Sequence, residues 1–352
     1  MKTKFIIAAM WTLSLAAAAQ QATTDTLPMV VLPDIEMLAT RAQQQSPIAY
    51  TNLTRDELLS QNQALDLPFL LSATPSVITT SDAGAGVGYT SMRVRGSDAS
   101  RINITLNDIP MNDAESHTIY WVNTPDLVAS LRDIQIQRGV GTSVNGAGSF
   151  GASVNMRSKQ FSSTPFADFS GTYGSFNTRK FSAQFGTGLL ANRLAFEGRL
   201  SRIASDGYRD RASSSLYSYF LQGGFFGTAT VVRLISFGGK ETTYHAWDGI
   251  SREQLKTDRT YNPNGEIIHN KVVHDFYPNQ NDVYRQFHYQ LIPDHQFNNN
   301  LNLHAALHYT DGSGYYEEYK NNRTLKEYLL APILYEGTDI YKSSLVRRKN
   351  VD

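Results

Sequence analysis

The sequence predicts a membrane all-β barrel, of which about seven antiparallel strands are present, preceded by an N-terminal α/β domain. Three observations carry this prediction. Beyond residue 165, apolar and polar side chains alternate at period two, segment after segment. The connections between these segments are short on one side and long on the other. The chain opens on an export signal, yet no later apolar stretch is long enough for a spanning helix. In lipid, a closed set of strands is the alternative to helices.

The signal occupies residues 1–19. Lys2 and Lys4 supply its positive end, Phe5 to Leu15 its apolar centre, and Ala17-Ala18-Ala19 its cleavage site. Residues 20–46 are polar and Gln-rich, so they bury too little apolar surface to offset ordering entropy and are predicted to be a flexible tether. One island interrupts them: Asp25, Thr26, Leu27, Pro28, Met29, Val30, Val31 and Leu32. A β-branched patch in a loose arm suits addition to the sheet edge of a partner; its alternative is an N-terminal strand of the next domain.

Composition narrows the function. Formal net charge is zero over 352 residues, so no global field recruits nucleic acid. Charged residues are 18 % and aromatics 11 %, a balance shifted toward apolar surroundings. The absence of cysteine excludes disulfides, thiolate metal sites and a cysteine nucleophile.

Residues 47–158 read as the α/β domain. Thr54 and Glu57 form a capping box, which predicts a helix over 55–62 and a second turn near 66–72. Residues 81–90 make a Gly-rich loop. Strands are expected at 91–96, 101–107, 133–139 and 151–158. Gly146, Gly148 and Gly151 match the spacing of a dinucleotide fingerprint, but that motif needs a helix after its third glycine. Here "ASVNM" follows and alternates as a strand, so the glycines are read as tight-turn and close-approach positions.

Residues 159–352 read as barrel. Phe169 and Tyr173 alternate with Asp168, Ser170 and Thr172; Phe181 and Phe185 with Lys180, Ser182 and Gln184. Leu194, Phe196 and Leu200 oppose Glu197 and Arg199; Tyr217, Tyr219, Leu221 and Phe225 oppose Ser218 and Gln222. The segment 228–238 is blurred by Arg233. Tyr289 and Leu291 lead a sixth segment; Leu301, Leu303, Leu307 and Tyr309 form a seventh. Connections at 187–192, 227–229 and 298–300 are short, whereas 205–215, 241–284 and 311–350 are long.

"MRVRGSDASRINITLNDIPMND" (92–113) and "LRDIQIQRGVGTSVNGAGSFGASVNMRSK" (131–159) resemble, in order, the plug-domain motifs of TonB-dependent outer-membrane receptors. Asn107-Asp108 stands where the family has Asp-Gly, and both pairs suit a tight turn. The island Asp25–Leu32 is similar to the TonB box, with Pro28 removing one ladder donor. The resemblance implies a plug over 47–158 inside a barrel of about 22 strands. Seven strands do not close such a barrel, and the chain is expected to end in a long outer loop. Implied partners are the inner-membrane TonB protein, a small metal chelate or similar ligand, and outer-membrane lipid. No cofactor is implied.

By resemblance, Arg93, Arg95 and Gly96, with Arg138 and Gly139, are expected to seat the plug, the arginines against wall carboxylates. Ordinary surface arginines are the alternative. Ligand contact is assigned to Tyr89, His117, Tyr120, Trp121, Tyr244, His245 and Trp247, although Tyr and Trp also build interfacial girdles. Asp113, Glu115 and His117 read as a solvated loop rather than a metal site. His304 and His308 would lie about 13 Å apart on one strand, too far to chelate one ion, and read as lumen-facing polar residues. No catalytic arrangement stands out. Expected function is active import of a ferric siderophore, haem or another scarce ligand. The alternatives are a passive barrel or adhesin, a glycan importer of the same family, or a secreted binding protein.

Overall fold

The computed structural model describes residues 41–140 and 150–351. The signal, the box residues Asp25, Thr26, Leu27, Met29, Val30 and Val31, and the turn glycines Gly146 and Gly148 lie outside the described residues. The chain begins with a small mixed domain. Strand β1 (Tyr50–Thr54) runs into α1 (Arg55–Gln61), and α2 (Leu67–Leu70) follows. A hairpin of β2 (Val77–Ser81) and β3 (Thr90–Val94) precedes β4 (Ile102–Leu106), β5 (Ile109–Pro110), β6 (Leu131–Arg138) and β7 (Ala152–Ser158). The capping box forms as expected: the Thr54 hydroxyl accepts from Glu57 N, and the Glu57 carboxylate accepts from Thr54 N at 2.7 Å. Asn107 and Asp108 both take positive φ between β4 and β5, the backbone that a two-residue hairpin of primed type needs.

The domain sheet has the order β1-β6-β7-β4-β5, and only β4 and β7 run parallel. Ile102, Ile104 and Leu106 of β4 pack with Ile134 and Ile136 of β6 and Val154 and Met156 of β7 in one buried core. Gly151 immediately precedes β7, a strand rather than a helix, which removes the nucleotide fingerprint. A Cβ there would lie 2.5 Å from Ser97 Cβ and 2.8 Å from Arg101 O, so close backbone approach is what the position requires.

Eight long strands then form a second, antiparallel sheet: β8 (Pro165–Gly174), β9 (Thr178–Leu190), β10 (Leu194–Ser205), β11 (Ser214–Phe226), β12 (Thr230–Tyr244), β15 (Asn281–Asn298), β17 (Leu307–Thr324) and β20 (Lys342–Val351). The long connection at 245–280 carries α3 (Arg252–Thr257) and a hairpin of β13 (Glu266–His269) and β14 (Val272–Phe276). Strand β16 (Leu301–His304) continues toward β17, and β18 (Ile333–Tyr335) with β19 (Thr338–Ile340) occupies the last connection.

This sheet is inside-out relative to a soluble one. Thr178, Lys180, Ser182, Glu197, Arg199, Ser201, Ser218, Gln222, Glu241, His288 and Gln290 are buried. Phe169, Phe181, Phe196, Leu200, Tyr217, Leu221, Leu234, Tyr289 and Tyr309 are exposed. The aromatic flank faces away from the plug, as the alternation predicts.

Three expectations change. Residues 342–351 form a strand, so the segment ending at Arg347–Val351 is wall and not outer loop; the loop is confined to 325–341. The seventh segment is broken at Ala305–Ala306, opposite Pro293, which accepts from Ala305 N at 3.1 Å but has no N–H to return. Segment 228–238 is a regular strand after all. Arg233 lies 3.9 Å from Asp294 on the neighbouring strand, while Ile235 and Phe237 point inward onto the plug core.

The plug meets the wall chiefly through polar side chains. Asp126, buried in the plug, pairs with Lys180 of β9 and, at 2.9 Å, with Arg199 of β10. Asn62 joins them, donating to Asp126 Oδ1 at 3.1 Å and accepting from Lys180 at 3.0 Å. Burial alone would raise the Asp126 carboxyl, but Arg199 and Lys180 bring it below the usual carboxylate range. Asn107 donates to Gln290 of β15 at 3.0 Å. Replacing Asp126 by Asn leaves two cations buried beside a neutral group, and is expected to weaken plug docking by about 3–5 kcal/mol. A lowered thermal midpoint and faster protease cleavage within 47–158 check this, with the uncharged D126N/K180M/R199M chain recovering most of the loss.

Candidate functional site

The long-loop end of the sheet is where plug, wall and connection converge. The Gly-rich loop after β2 rises to it. Gly84, Gly86 and Gly88 all take positive φ, and a Cβ on Gly88 would meet Ser214 Oγ of β11 at 2.5 Å. Glycine therefore lets the loop press against the wall and deliver Tyr89. The Tyr89 hydroxyl donates to Asp282 of β15 and, at 3.4 Å, to Glu241 of β12. Burial, then Glu241 and Asp282, hold this phenol far above its ordinary pKa, so it stays a donor.

Above Tyr89 lies an aromatic group. The Tyr89 ring meets Trp247 edge-on at 6.4 Å. His245 stacks on Trp247 at 3.9 Å, and Tyr316 of β17 stands edge-on to both at 6.3 and 6.4 Å. His245 is buried, and burial lowers its pKa to about 4, so the imidazole is neutral. Trp247 is 41 % exposed and presents the open side of the group. Arg347 lies 5.5 Å from the Tyr316 ring centroid, and Arg348 4.3 Å from that of Tyr315. Arg348 pairs with Glu317 at 2.6 Å, while Lys320 and Arg347 both pair with Glu318. The arrangement offers flat π surface beside the Arg347 guanidinium, suited to stacking a planar ring, while Arg348 lies on the other flank of its strand, opposite Glu317.

The sequence-selected residues divide. Tyr89, His245 and Trp247 come together. Tyr244 turns away to hold the long connection, its hydroxyl donating to Tyr277 O at 2.9 Å and Asn264 O at 3.2 Å. Trp121 belongs to the plug core. His117 and Tyr120 are exposed on another loop, where Asp113 accepts from Ser116 N and Glu115 N to form a turn; among the described residues neither touches the aromatic group. His304 bonds to Asp294, and His308 is exposed on β17.

The residues assigned to plug seating lie on the plug surface or within its sheet. Arg93 and Arg95 are exposed, and among the described residues neither pairs with a wall carboxylate. Arg138 donates to Thr51 Oγ1 at 2.5 Å, tying β6 to β1 within the plug. Gly96 and Gly139 take positive φ, and a Cβ on Gly139 would meet Arg95 at 3.1 Å. Where the plug meets the described wall, the buried ion pairs have the opposite polarity: Asp126 in the plug, Lys180 and Arg199 in the wall. Tyr316, Glu241, Asp282 and Asp126 were missed. Each is an ordinary member of an alternating or loop segment, and only the three-dimensional pairing singles it out.

Geometry and comparison now agree on the class, a plugged β-barrel of which the plug and first wall strands are seen. Residues 42–153 match the family model described as "TonB-dependent Receptor Plug Domain". Residues 42–153 thus carry a TonB-dependent receptor plug domain, and the strands that follow have the fold of part of such a receptor's barrel. No match was found among curated proteins. The closed form of the ferric-catecholate import receptor Fiu from E. coli K12 is 18 % identical, with TM-score 0.59, covering 86 % of this chain and 41 % of that one. BauA, the ferric preacinetobactin receptor from Acinetobacter baumannii, is 16 % identical with TM-score 0.60, covering 77 % and 39 %. The alcaligin receptor FauA from Bordetella pertussis is 16 % identical with TM-score 0.55, covering 79 % and 42 %. At these identities the likeness is one of fold, and the chain spans about two fifths of their length.

One titration follows from the loop geometry. Asp66 is buried below Tyr89, accepts from Thr90 Oγ1 at 3.1 Å, and is pushed up to about 8 by burial. Its folded pKa exceeds the unfolded value, so the folded state holds the extra proton, and stability declines as pH rises from about 4 to about 8. Denaturant midpoints across that window should fall for the native chain and flatten for Asp66→Asn.

Proposed function

We propose that the protein imports a scarce chelate bearing planar rings, a ferric siderophore, haem or a comparable compound, across the outer membrane, driven by TonB. The observation that carries this reading is the aromatic group at the plug apex. A ligand stacked on Trp247 contacts the long connection directly, and through Tyr89 it bears on the plug and on Asp282 of the wall. Binding outside is thereby linked to plug position, and a ligand shifts a plug equilibrium only through such differential contacts. The solved structures named as a ferric-catecholate import receptor and a ferric preacinetobactin receptor support the ligand class, and the family points to an outer-membrane setting and to transport rather than catalysis.

The lower end of the plug supports the energy route. Where the tether enters, Arg41 pairs with Asp133 of β6 at 2.6 Å, and Gln135 of β6 exchanges two bonds with the Ala42 backbone at 2.8 and 3.0 Å. Tension on the tether is thus delivered to β6, which lies between β1 and β7 in the plug sheet. TonB would pair with Asp25, Thr26, Leu27, Met29, Val30 and Val31 by strand addition.

Deleting residues 25–32 should abolish uptake of the chelate that supports growth, while its binding to whole cells stays within about twofold (about 0.4 kcal/mol). Growth of a deletion strain on a panel of iron and cofactor sources identifies that chelate. Uptake that survives the deletion would overturn energised import and favour a passive barrel.

A further inference from the structure

The hairpin within the long connection at 245–280 holds a group of side chains that the aromatic site does not use. Asn270 and Lys271 both take positive φ, which gives β13 and β14 a tight two-residue turn of primed type and pairs His269 with Val272. Register then slips. Ile268 faces Val273 but Ile267 faces Asp275, so His274 is the extra residue of a β-bulge. His269 and His274 are thereby diagonal neighbours on the hairpin, a relation that long side chains can span. Their ring centroids stand 5.8 Å apart, with the ring planes at 59°.

The hairpin is held from several sides. Asn321 of β17 accepts from Ile268 N at 2.8 Å and donates to Glu266 O at 2.6 Å. The Arg211 guanidinium lies over the Phe276 ring, 3.4 Å from its centroid, and the Tyr261 hydroxyl donates to Glu266. The two histidines themselves are exposed, and among the described residues neither imidazole has a hydrogen-bond partner. Asp275 is engaged with its own chain, accepting from Phe276 N at 2.8 Å.

Two free imidazoles at this spacing can share an ion. A ligating nitrogen lies about 2.0–2.1 Å from the metal, which puts the ring centroid about 3.2 Å from it. Two such ligands have centroids about 5 Å apart at a tetrahedral angle and about 6.4 Å apart when directly opposed. The observed 5.8 Å lies inside that range. Exposed side chains exchange among rotamers, so a nitrogen of each ring can face the gap. Among the described residues no third metal-ligating side chain completes a group, which leaves the other coordination positions to water. Imidazole donors without a carboxylate select Cu²⁺, Ni²⁺ or Zn²⁺ over Mg²⁺ and Ca²⁺.

We propose that His269 and His274 bind one divalent transition cation of this class, each through one ring nitrogen, with water in the open positions. The ion bridges β13 to β14 and staples the hairpin diagonally. The proposal rests on no property of the chelate site: among the described residues neither imidazole makes a ring contact with Trp247 or Tyr316.

The test titrates the full-length receptor, free of any polyhistidine tag, with Cu²⁺, the tightest-binding of these cations. The tightest site should hold one Cu²⁺ with two imidazoles, counted by electron spin-echo envelope modulation. His269→Asn and His274→Asn should each weaken it at least about tenfold (about 1.4 kcal/mol). The double variant should be little weaker than either, because one imidazole left alone no longer chelates. His308→Asn, which removes an exposed histidine of β17, should bind as the native chain does. Excess Zn²⁺ should compete, and millimolar Mg²⁺ should not. Both side chains are exposed, so the metal-free variants should keep the native thermal midpoint, which separates loss of the site from loss of the fold. No bound copper, one imidazole per ion in the native protein, native affinity in either single variant, or equal competition by Mg²⁺ would each overturn the proposal. Chelate uptake by the same variants tests the import reading separately, since the two sites share no residue.

Discussion

The inside-out strand fixes everything else in this molecule. Each long strand must satisfy acyl chains on one flank and protein or water on the other, and the period of two lets a single segment do both. Once Phe181 and Leu200 are committed outward, Lys180, Ser182, Arg199 and Ser201 have no choice but to face in. An inward flank of that composition cannot be covered by an apolar core, since each buried polar group needs a partner. The plug answers with side chains of its own: Asp126 for the two cations, Asn107 for Gln290, and Tyr89 for Asp282 and Glu241. These contacts sit at different heights along the wall, which sets the plug's orientation as well as its position.

A polar interface also determines how the plug can leave. Water can replace most of these hydrogen bonds at modest net cost, about 1 kcal/mol each. Two features resist replacement. One is the Asp126 cluster, where separation would leave charges poorly solvated unless water follows at once. The other is the patch of Phe220, Ile235, Phe237 and Ile292, where the wall contributes apolar side chains to the plug core. The plug is thus held by a few strong points on an otherwise exchangeable surface.

Much of this was legible in the sequence because the signals were local. Thr54 and Glu57 specify the helix start by mutual hydrogen bonds, and the alternation around Phe181 and Phe196 specifies both the strands and their outward flank. Segment 228–238 was obscure because Ile235 and Phe237 point inward onto plug residues about a hundred positions away, so both flanks read as apolar. The final strand, Lys342–Val351, hides its pattern in charge. Arg347 and Arg348 find Glu318 and Glu317 on β17, partners that no window on the sequence would contain. Strand addition at a sheet edge depends on a neighbour, and sequence periodicity reports only the strand itself.

The same distinction explains the site. Aromatic content drew attention to the connection at 245–280 and to Tyr89, and three of the seven selected residues converge. Arginine content drew attention to Arg93 and Arg95, which stand exposed and, among the described residues, pair with no carboxylate of the wall. A carboxylate such as Asp126 carries no mark of its role in "NTPDLVAS": it becomes a seat only because β9 and β10 each turn a cation inward at the same height. The pair His269 and His274 follows the same rule in the hairpin of β13 and β14, where a register slip at His274 sets it beside His269. In a sheet of this kind, recognition is built across strands, so pairing order must be known before any single charge can be given a role.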